Sequence, residues 1–293
     1  IGKTPLVRLK GFGENLYGKC EFLNPSHSIK DRAAYAMIKK ALDEAHISKE
    51  TTIIECTSGN MGISLAMICA TLGLKIILTM PESMSIERRK MMALFGAKLE
   101  LTPASEGMKG AYERALALHK EIKNSFIPSQ FENLANKFAH RENTAVEILN
   151  DLDGKIDYFV AGFGTSGTIS GVGEVLKEKF ADKVKIIAVE PAASPLLSEG
   201  KAGGHKIQGI GANFIPKILN QSVIDEIQTI SNEDAIATAR ELALKNGLMV
   251  GISSGANVFI ASKIAKANPD KIIVTMLNDT AERYLSTDLF AGI

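Results

Sequence analysis

Thr52-Ile53-Ile54-Glu55, then Cys56-Thr57-Ser58-Gly59-Asn60-Met61-Gly62, then the small and apolar residues 63–72 read as strand, turn and helix in immediate succession. The β-branched run is short and bounded by turn-forming residues, and the segment behind it carries helical small-residue patterning. The same kind of run recurs at Lys75-Ile76-Ile77-Leu78, Lys98-Leu99-Glu100-Leu101 and Tyr158-Phe159-Val160. It returns at Lys185-Ile186-Ile187-Ala188-Val189 and Lys271-Ile272-Ile273-Val274. Helical patterns cover 31–45, 62–72, 85–95, 107–123 and 232–246. Alternation of this kind predicts the α/β class, with mainly parallel sheets covered by helices. A chain of 293 residues exceeds one typical domain of about 150. Two domains are expected, with a boundary near 133–143, and the ends of parallel strands there are where α/β proteins hold ligands.

Composition narrows the function classes. Hydrophobic residues make up 45% and charged residues 23%, which is ordinary globular usage. Lys plus Arg is 34 against 33 for Asp plus Glu, a formal net charge of +1. No global charge draws the chain to nucleic acid or an anionic membrane, so a small-molecule partner is expected. The three cysteines, Cys20, Cys56 and Cys69, lack C-x-x-C spacing. They argue against a disulfide framework or a metal site and fit a reducing, cytoplasmic setting. The longest apolar stretch, 63–74, is too short to span a bilayer, and no signal-peptide pattern opens the sequence. An opening Ile1 rather than Met implies that native residues precede it.

Gly162-Phe163-Gly164-Thr165-Ser166-Gly167 is formally G-x-G-x-x-G between a strand and a helix, and Glu190 ends the next strand. That permits a dinucleotide site with Glu190 on a ribose, but a lone match is weak evidence. Thr165, Ser166 and Thr168 crowd hydroxyls and amides at one helix start, which suits the three oxygens of a phosphate monoester. Alone, the loop is equally a glycine turn without a ligand.

Other segments supply company. In Asn24-Pro25-Ser26-His27-Ser28-Ile29-Lys30-Asp31-Arg32, Lys30 stands at a helix start, where the dipole disfavours a cation. Beside a phosphate or an aldehyde the same tension would make it a better nucleophile, although most lysines are simply solvated. Thr57 to Gly62 is a second anion nest, suited to a carboxylate or equally a capped turn. Gly251-Ile252-Ser253-Ser254-Gly255-Ala256 is a third Gly/Ser turn into a helix. Two anion nests and a lysine suggest a ligand with a phosphate at one end and a carboxylate at the other. An amino acid joined to pyridoxal phosphate has that form.

Together these segments resemble cysteine synthase (O-acetylserine sulfhydrylase) in the fold-type II pyridoxal-phosphate family, which also holds cystathionine β-synthase. The resemblance runs over nearly the whole chain. Its further motifs are Ile1-Gly2-Lys3-Thr4-Pro5-Leu6-Val7, Ser129-Gln130-Phe131-Glu132-Asn133, His205-Lys206-Ile207-Gln208-Gly209-Ile210-Gly211 and Glu282-Arg283-Tyr284-Leu285-Ser286-Thr287. It implies a tryptophan synthase β-like architecture of two three-layer α/β domains. The smaller would be 24–135, with the cofactor lysine and a carboxylate loop. The larger would be 1–23 with 136–293, carrying the phosphate loop.

The resemblance also implies roles. Lys30 would bind pyridoxal 5'-phosphate and shuttle the Cα proton. Asn60 would contact the cofactor's phenolic oxygen, Gly164, Thr165, Ser166, Gly167 and Thr168 its phosphate, and Ser253 its pyridine nitrogen. Thr57, Ser58, Asn60 and Gln130 would hold the substrate carboxylate, with Met61 beside them influencing substrate choice. The implied enzyme is a β-replacing transferase that makes L-cysteine from O-acetyl-L-serine and sulfide through an aminoacrylate. A homodimer, and serine acetyltransferase as a partner, go with that family.

Three departures from the usual pattern are visible. Met61 stands where a threonine is typical, Ser166 replaces a glycine, and 277–283 lacks the usual Pro-Ser-rich character. The first leaves open a cystathionine β-synthase-type condensation of O-acetylserine or serine with homocysteine. Two rivals of other classes are a dinucleotide oxidoreductase and an inactive regulatory homologue. The oxidoreductase leaves Lys30 and Asn60 unexplained, and intact Lys30, Asn60 and Ser253 count against the inactive homologue.

Overall fold

The computed structural model describes residues 1–293 and divides into two compact units, Lys30–Asn136 and Ile1–Ile29 with Lys137–Ile293. In chain order the first half carries β1 (Leu6–Arg8), β2 (Leu16–Cys20), α1 (Lys30–Asp43), β3 (Thr52–Cys56), α2 (Asn60–Leu72) and β4 (Lys75–Pro81). It continues with α3 (Ile86–Leu94), β5 (Lys98–Thr102), α4 (Gly107–Glu121), β6 (Ser125–Phe126) and α5 (Leu134–Ala139). Then follow α6 (Ala145–Asp151), β7 (Tyr158–Gly162), α7 (Gly167–Phe180), β8 (Lys185–Pro191) and α8 (Leu196–Glu199). The last elements are β9 (Glu226–Ile230), α9 (Asn232–Asn246), α10 (Ile252–Ala267) and β10 (Ile273–Leu277). The division at Ile29 lies later than the boundary at 24 expected from sequence, and the main chain shows why. The Ile29 amide donates to the Asn278 carbonyl at 2.8 Å and Ser28 bridges Asp279, so the turn 24–29 belongs to the larger unit.

In the smaller unit the strand order is β5-β4-β3-β6, all parallel. Successive residues of a strand face opposite sides, so a sheet covered on both sides needs apolar residues at every position. Ile53, Ile76, Leu78 and Met80 pack with Ala34, Met37 and Ile38 of α1 and with Ile63 of α2. Ile54 and Ile77 pack on the other side with Ala115 and Leu118 of α4. Those are three layers. Gly73 ends α2 at φ 70°, its amide reaching the Ala70 and Cys69 carbonyls, a left-handed cap that glycine adopts without steric cost.

The larger unit repeats the scheme with the order β1-β2-β10-β7-β8-β9, where only β1 and β2 run antiparallel. Val160, Ile187, Val189, Ile273 and Leu277 join a core with Ala239 of α9 and Ala256 of α10. Phe159, Ala161, Ile186, Ala188, Val274 and Met276 join a second core with Ile148 of α6 and Val172 of α7. The final strand starts later than the Lys271 run suggests. Lys271 pairs with Asp157 at 2.9 Å and the Ile272 amide donates to the same carboxylate, so both precede the ladder. No helix is long and apolar enough to cross a membrane.

Helices α9 and α10 meet at small residues. Ser231 caps α9 through the Asp234 amide at 3.0 Å, and Gly247 closes it at φ 66°. A Cβ on Gly255 of α10 would overlap the Ala235 carbonyl oxygen and sit 2.7 Å from the Ala239 nitrogen, both main-chain atoms of α9. Neither can give way like a side chain. Gly255→Ala is therefore expected to cost about 1–3 kcal/mol and lower the Tm by several degrees. A melting curve that superposes on wild type would mean that the two helices are not in this close contact.

Candidate active site

The loop from β7 to α7 owes its shape to the segment beneath it. A Cβ on Gly164 would overlap the Gly209 carbonyl oxygen, and one on Gly162 would lie 2.8 Å from the Ile210 side chain. The Gly211 amide donates to the Phe163 carbonyl at 3.0 Å, and the Gly162 amide to Asn257 Oδ1 at 2.7 Å. The stretch 207–211 is thus a floor for the glycine loop, a role that its sequence alone did not disclose.

On this floor Ser166 caps α7 in the left-handed region at φ 71°. A non-glycine residue held there costs on the order of 1 kcal/mol. Its hydroxyl is also buried and has no hydrogen-bond partner in the protein. Leaving such a group unsatisfied costs roughly 1–3 kcal/mol. The amides of the first helical turn have no intrahelical acceptor either. Unpaid donors gathered at one helix start are the chemistry of an anion cradle. Thr165 is buried within it, and Thr168 Oγ1 lies 3.4 Å from His140 Nε2.

Glu190 is unavailable to a ribose. Its carboxylate accepts the Leu197 amide at 2.9 Å, the Ser198 amide at 3.1 Å and the Ser198 hydroxyl. It is wholly buried as the anchor of α8, and the dinucleotide reading loses its acidic residue.

Ser253 stands on the first turn of α10, 3% exposed, and its Oγ accepts a hydrogen bond from Asn278 Nδ2 at 3.0 Å. The neighbouring Ser254 Oγ accepts the Asn278 amide at 2.8 Å.

In the smaller unit Lys30 is the first residue of α1, half-buried and followed by the buried pair Asp31 and Arg32. Thr57, Ser58 and Asn60 form the turn from β3 into α2, whose N-cap Gly59 offers no side-chain cap. Thr57 Oγ1 accepts the Gly59 amide at 3.3 Å and the Gly59 carbonyl accepts the Gly62 amide at 3.1 Å, which hold the turn at the start of α2. Gln130 is buried, and its carbonyl accepts Asn136 Nδ2 at 2.8 Å.

Met61, expected beside the carboxylate loop, packs inward. It is 2% exposed and belongs to the same core as Ile63, Leu65 and Met92, so its thioether fills the interior of the unit. The helical turn that exposes Asn60 rotates residue 61 inward.

Glu55 escaped the sequence reading, because a carboxylate in a strand reads as a solvated position. It lies in the middle of the sheet, on β3, and accepts the Ser129 amide at 3.0 Å. Ser129 itself is held at φ 55°, one residue before Gln130. Burial pushes the Glu55 carboxyl up to about 8, partly offset by the Ser129 hydrogen bond. The folded protein therefore keeps a proton that the unfolded chain releases near 4.5. Its contribution to stability is complete below the unfolded value and is lost as pH rises towards 8. Glu55→Gln keeps an acceptor for Ser129 but cannot ionise. The variant should gain on wild type between about pH 5 and 8, by up to a few kcal/mol, measured as a widening Tm difference. A difference that stays constant over that range would contradict the raised carboxyl.

The model for the family described as pyridoxal-phosphate dependent enzyme matches residues 1–279. Cysteine synthase B of Campylobacter jejuni subsp. jejuni is 71% identical over 291 residues, covering 99% of this chain and 97% of that protein. A probable cysteine synthase of Bacillus subtilis is 50% identical over 301 residues, covering 100% of this chain and 96% of that protein. The crystal structure of a cysteine synthase from Entamoeba histolytica matches at TM-score 0.95 and 42% identity, over 99% of this chain and 88% of that one. With its parallel sheets, its glycine-loop anion cradle and likenesses that span almost its whole length, the chain belongs to the family of pyridoxal-phosphate dependent enzymes.

Proposed function

We propose that the chain is a cysteine synthase, which replaces the acetoxy group of O-acetyl-L-serine with sulfide, and that Lys30 carries its pyridoxal 5'-phosphate. The substrate reading rests on the likeness to cysteine synthases across almost the whole chain. The cofactor reading rests on one feature above all, the buried, unpartnered hydroxyl of a left-handed Ser166 at the start of α7. Phosphate oxygens accept hydrogen bonds from donors of that kind, so the residues fit the group. When bound, the cofactor draws electrons from the substrate Cα, which lets the β-substituent leave and a thiol take its place.

The protein's own groups then divide the work. Gly164, Thr165, Ser166, Gly167 and Thr168 hold the phosphate by amides and hydroxyls. Ser253 offers a neutral hydroxyl to the pyridine nitrogen, and a neutral partner leaves the ring a weaker electron sink than a carboxylate would. That favours elimination over exchange of the amino group. Asn60 binds the phenolic oxygen. Thr57, Ser58, Asn60 and Gln130 would bind the substrate carboxylate at the start of α2, which fixes the Cα proton relative to the base. Lys30 is the residue that would hold the cofactor by its aldehyde, and its amine would take and return the Cα proton. A homodimer, a serine acetyltransferase partner and a cytoplasmic location go with the same reading. Three unpaired thiols, Cys20, Cys56 and Cys69, agree with a reducing compartment.

Protein loaded with pyridoxal 5'-phosphate should form cysteine from O-acetylserine and sulfide. Lys30→Ala should lower kcat at least about a thousandfold, a barrier increase near 4 kcal/mol, as loss of both the tether and the base requires. Cysteine formation by Lys30→Ala within about tenfold of wild type would remove Lys30 from the chemistry.

A further inference from the structure

Asn278 sits in 277–283, the stretch whose composition departs from the family's habit. Its main chain is fixed on both sides. The amide donates to Ser254 Oγ at 2.8 Å and the carbonyl accepts the Ile29 amide at 2.8 Å. On either side of that residue Leu277 ends β10, while the Asp279 carbonyl accepts the Gly251 amide at 3.0 Å. With the backbone so held, the side-chain amide is delivered to one place, Ser253 Oγ at 3.0 Å.

A serine hydroxyl has one proton and two lone pairs. When Asn278 donates to the oxygen, it occupies a lone pair and leaves the Ser253 proton as the group's remaining donor. Accepting a hydrogen bond also polarises the O–H bond and strengthens its donation to a second acceptor. An unprotonated pyridine nitrogen is an acceptor only. We propose that Asn278 is a positioning residue that sets the polarity of Ser253, keeping its hydroxyl a donor to the cofactor's ring nitrogen. This inference rests on the reading of Ser253 given above. A proline at 278 would offer neither the side-chain donor nor the main-chain amide.

The carboxylate of Asn278→Asp has nearly the same shape but only accepts. It would draw the Ser253 proton to itself and away from the ring. Asn278→Ala removes the donor without reversing it. Both variants keep the main-chain ties to Ser254 and Ile29, so apo-protein Tm serves as the control for a structural effect. The cofactor dissociation constant and the position of its visible absorption band are measured for wild type, both Asn278 variants and Ser253→Ala. Asn278→Asp is expected to weaken cofactor binding about tenfold or more and to move the band, with Asn278→Ala between it and wild type, as expected for one hydrogen bond reversed and one lost. Apo-protein Tm should stay within about 2 °C. If Ser253→Ala shifts the band and the affinity while Asn278→Asp does neither, the inference is overturned and the reading of Ser253 stands. If Ser253→Ala matches wild type in both, the reading of Ser253 falls and this inference with it. Weakened binding in Asn278→Asp that follows a matching loss of apo-protein Tm also overturns it.

Discussion

A parallel sheet must be covered on both faces, and the rest of this protein follows from that constraint. Parallel strands cannot be joined by tight hairpins, so each must be followed by a crossover, here usually a helix. Every such helix begins past the carboxyl end of a strand, and its first amides have no acceptor within the helix. Both units build their candidate ligand loops at this junction, β3 to α2 in the smaller and β7 to α7 in the larger. The chemistry therefore sits where the fold has donors to spare.

The packing that holds the sheets also leaves its mark on the loops. Gly162 and Gly164 are small because Gly209 and Ile210 lie directly beneath them. Ser166 keeps a left-handed backbone and an unpaired hydroxyl, two local costs that a folded chain retains where a ligand compensates them. Two buried charged groups elsewhere in the larger unit are answered within the protein. Lys19, 1% exposed, meets Glu147 and Asp151 at 3.0 Å each, and Glu190 is saturated by the start of α8.

How much of this was legible depends on the residue. β3, β4, β7 and β8 announced themselves because strands covered on both faces are written in Ile, Leu and Val, while the edge strand β5 showed as an alternation of charged residues and leucine. β2 did not, since Leu16-Tyr17-Gly18-Lys19-Cys20 contains a glycine and a lysine. Its Gly18 lies against Leu277, and the Lys19 charge is neutralised only by partners more than a hundred residues distant in the chain. β6, at two residues, is too short to show a period. The glycine and hydroxyl turns were legible as anion nests from residue types alone, while their assignment to particular ligand atoms came from the resemblance. The inward turn of Met61, the burial of Glu55 and the floor at 207–211 depend on tertiary packing, which no local pattern encodes.

The proposed chemistry depends on a covalent bond between Lys30 and the cofactor. Borohydride reduction of the protein loaded with pyridoxal 5'-phosphate would make that bond permanent, and peptide mass spectrometry would locate it. The phosphopyridoxyl group is expected on Lys30, in the peptide that includes the start of α1. Its recovery on another lysine, or on none, would contradict the account at its centre.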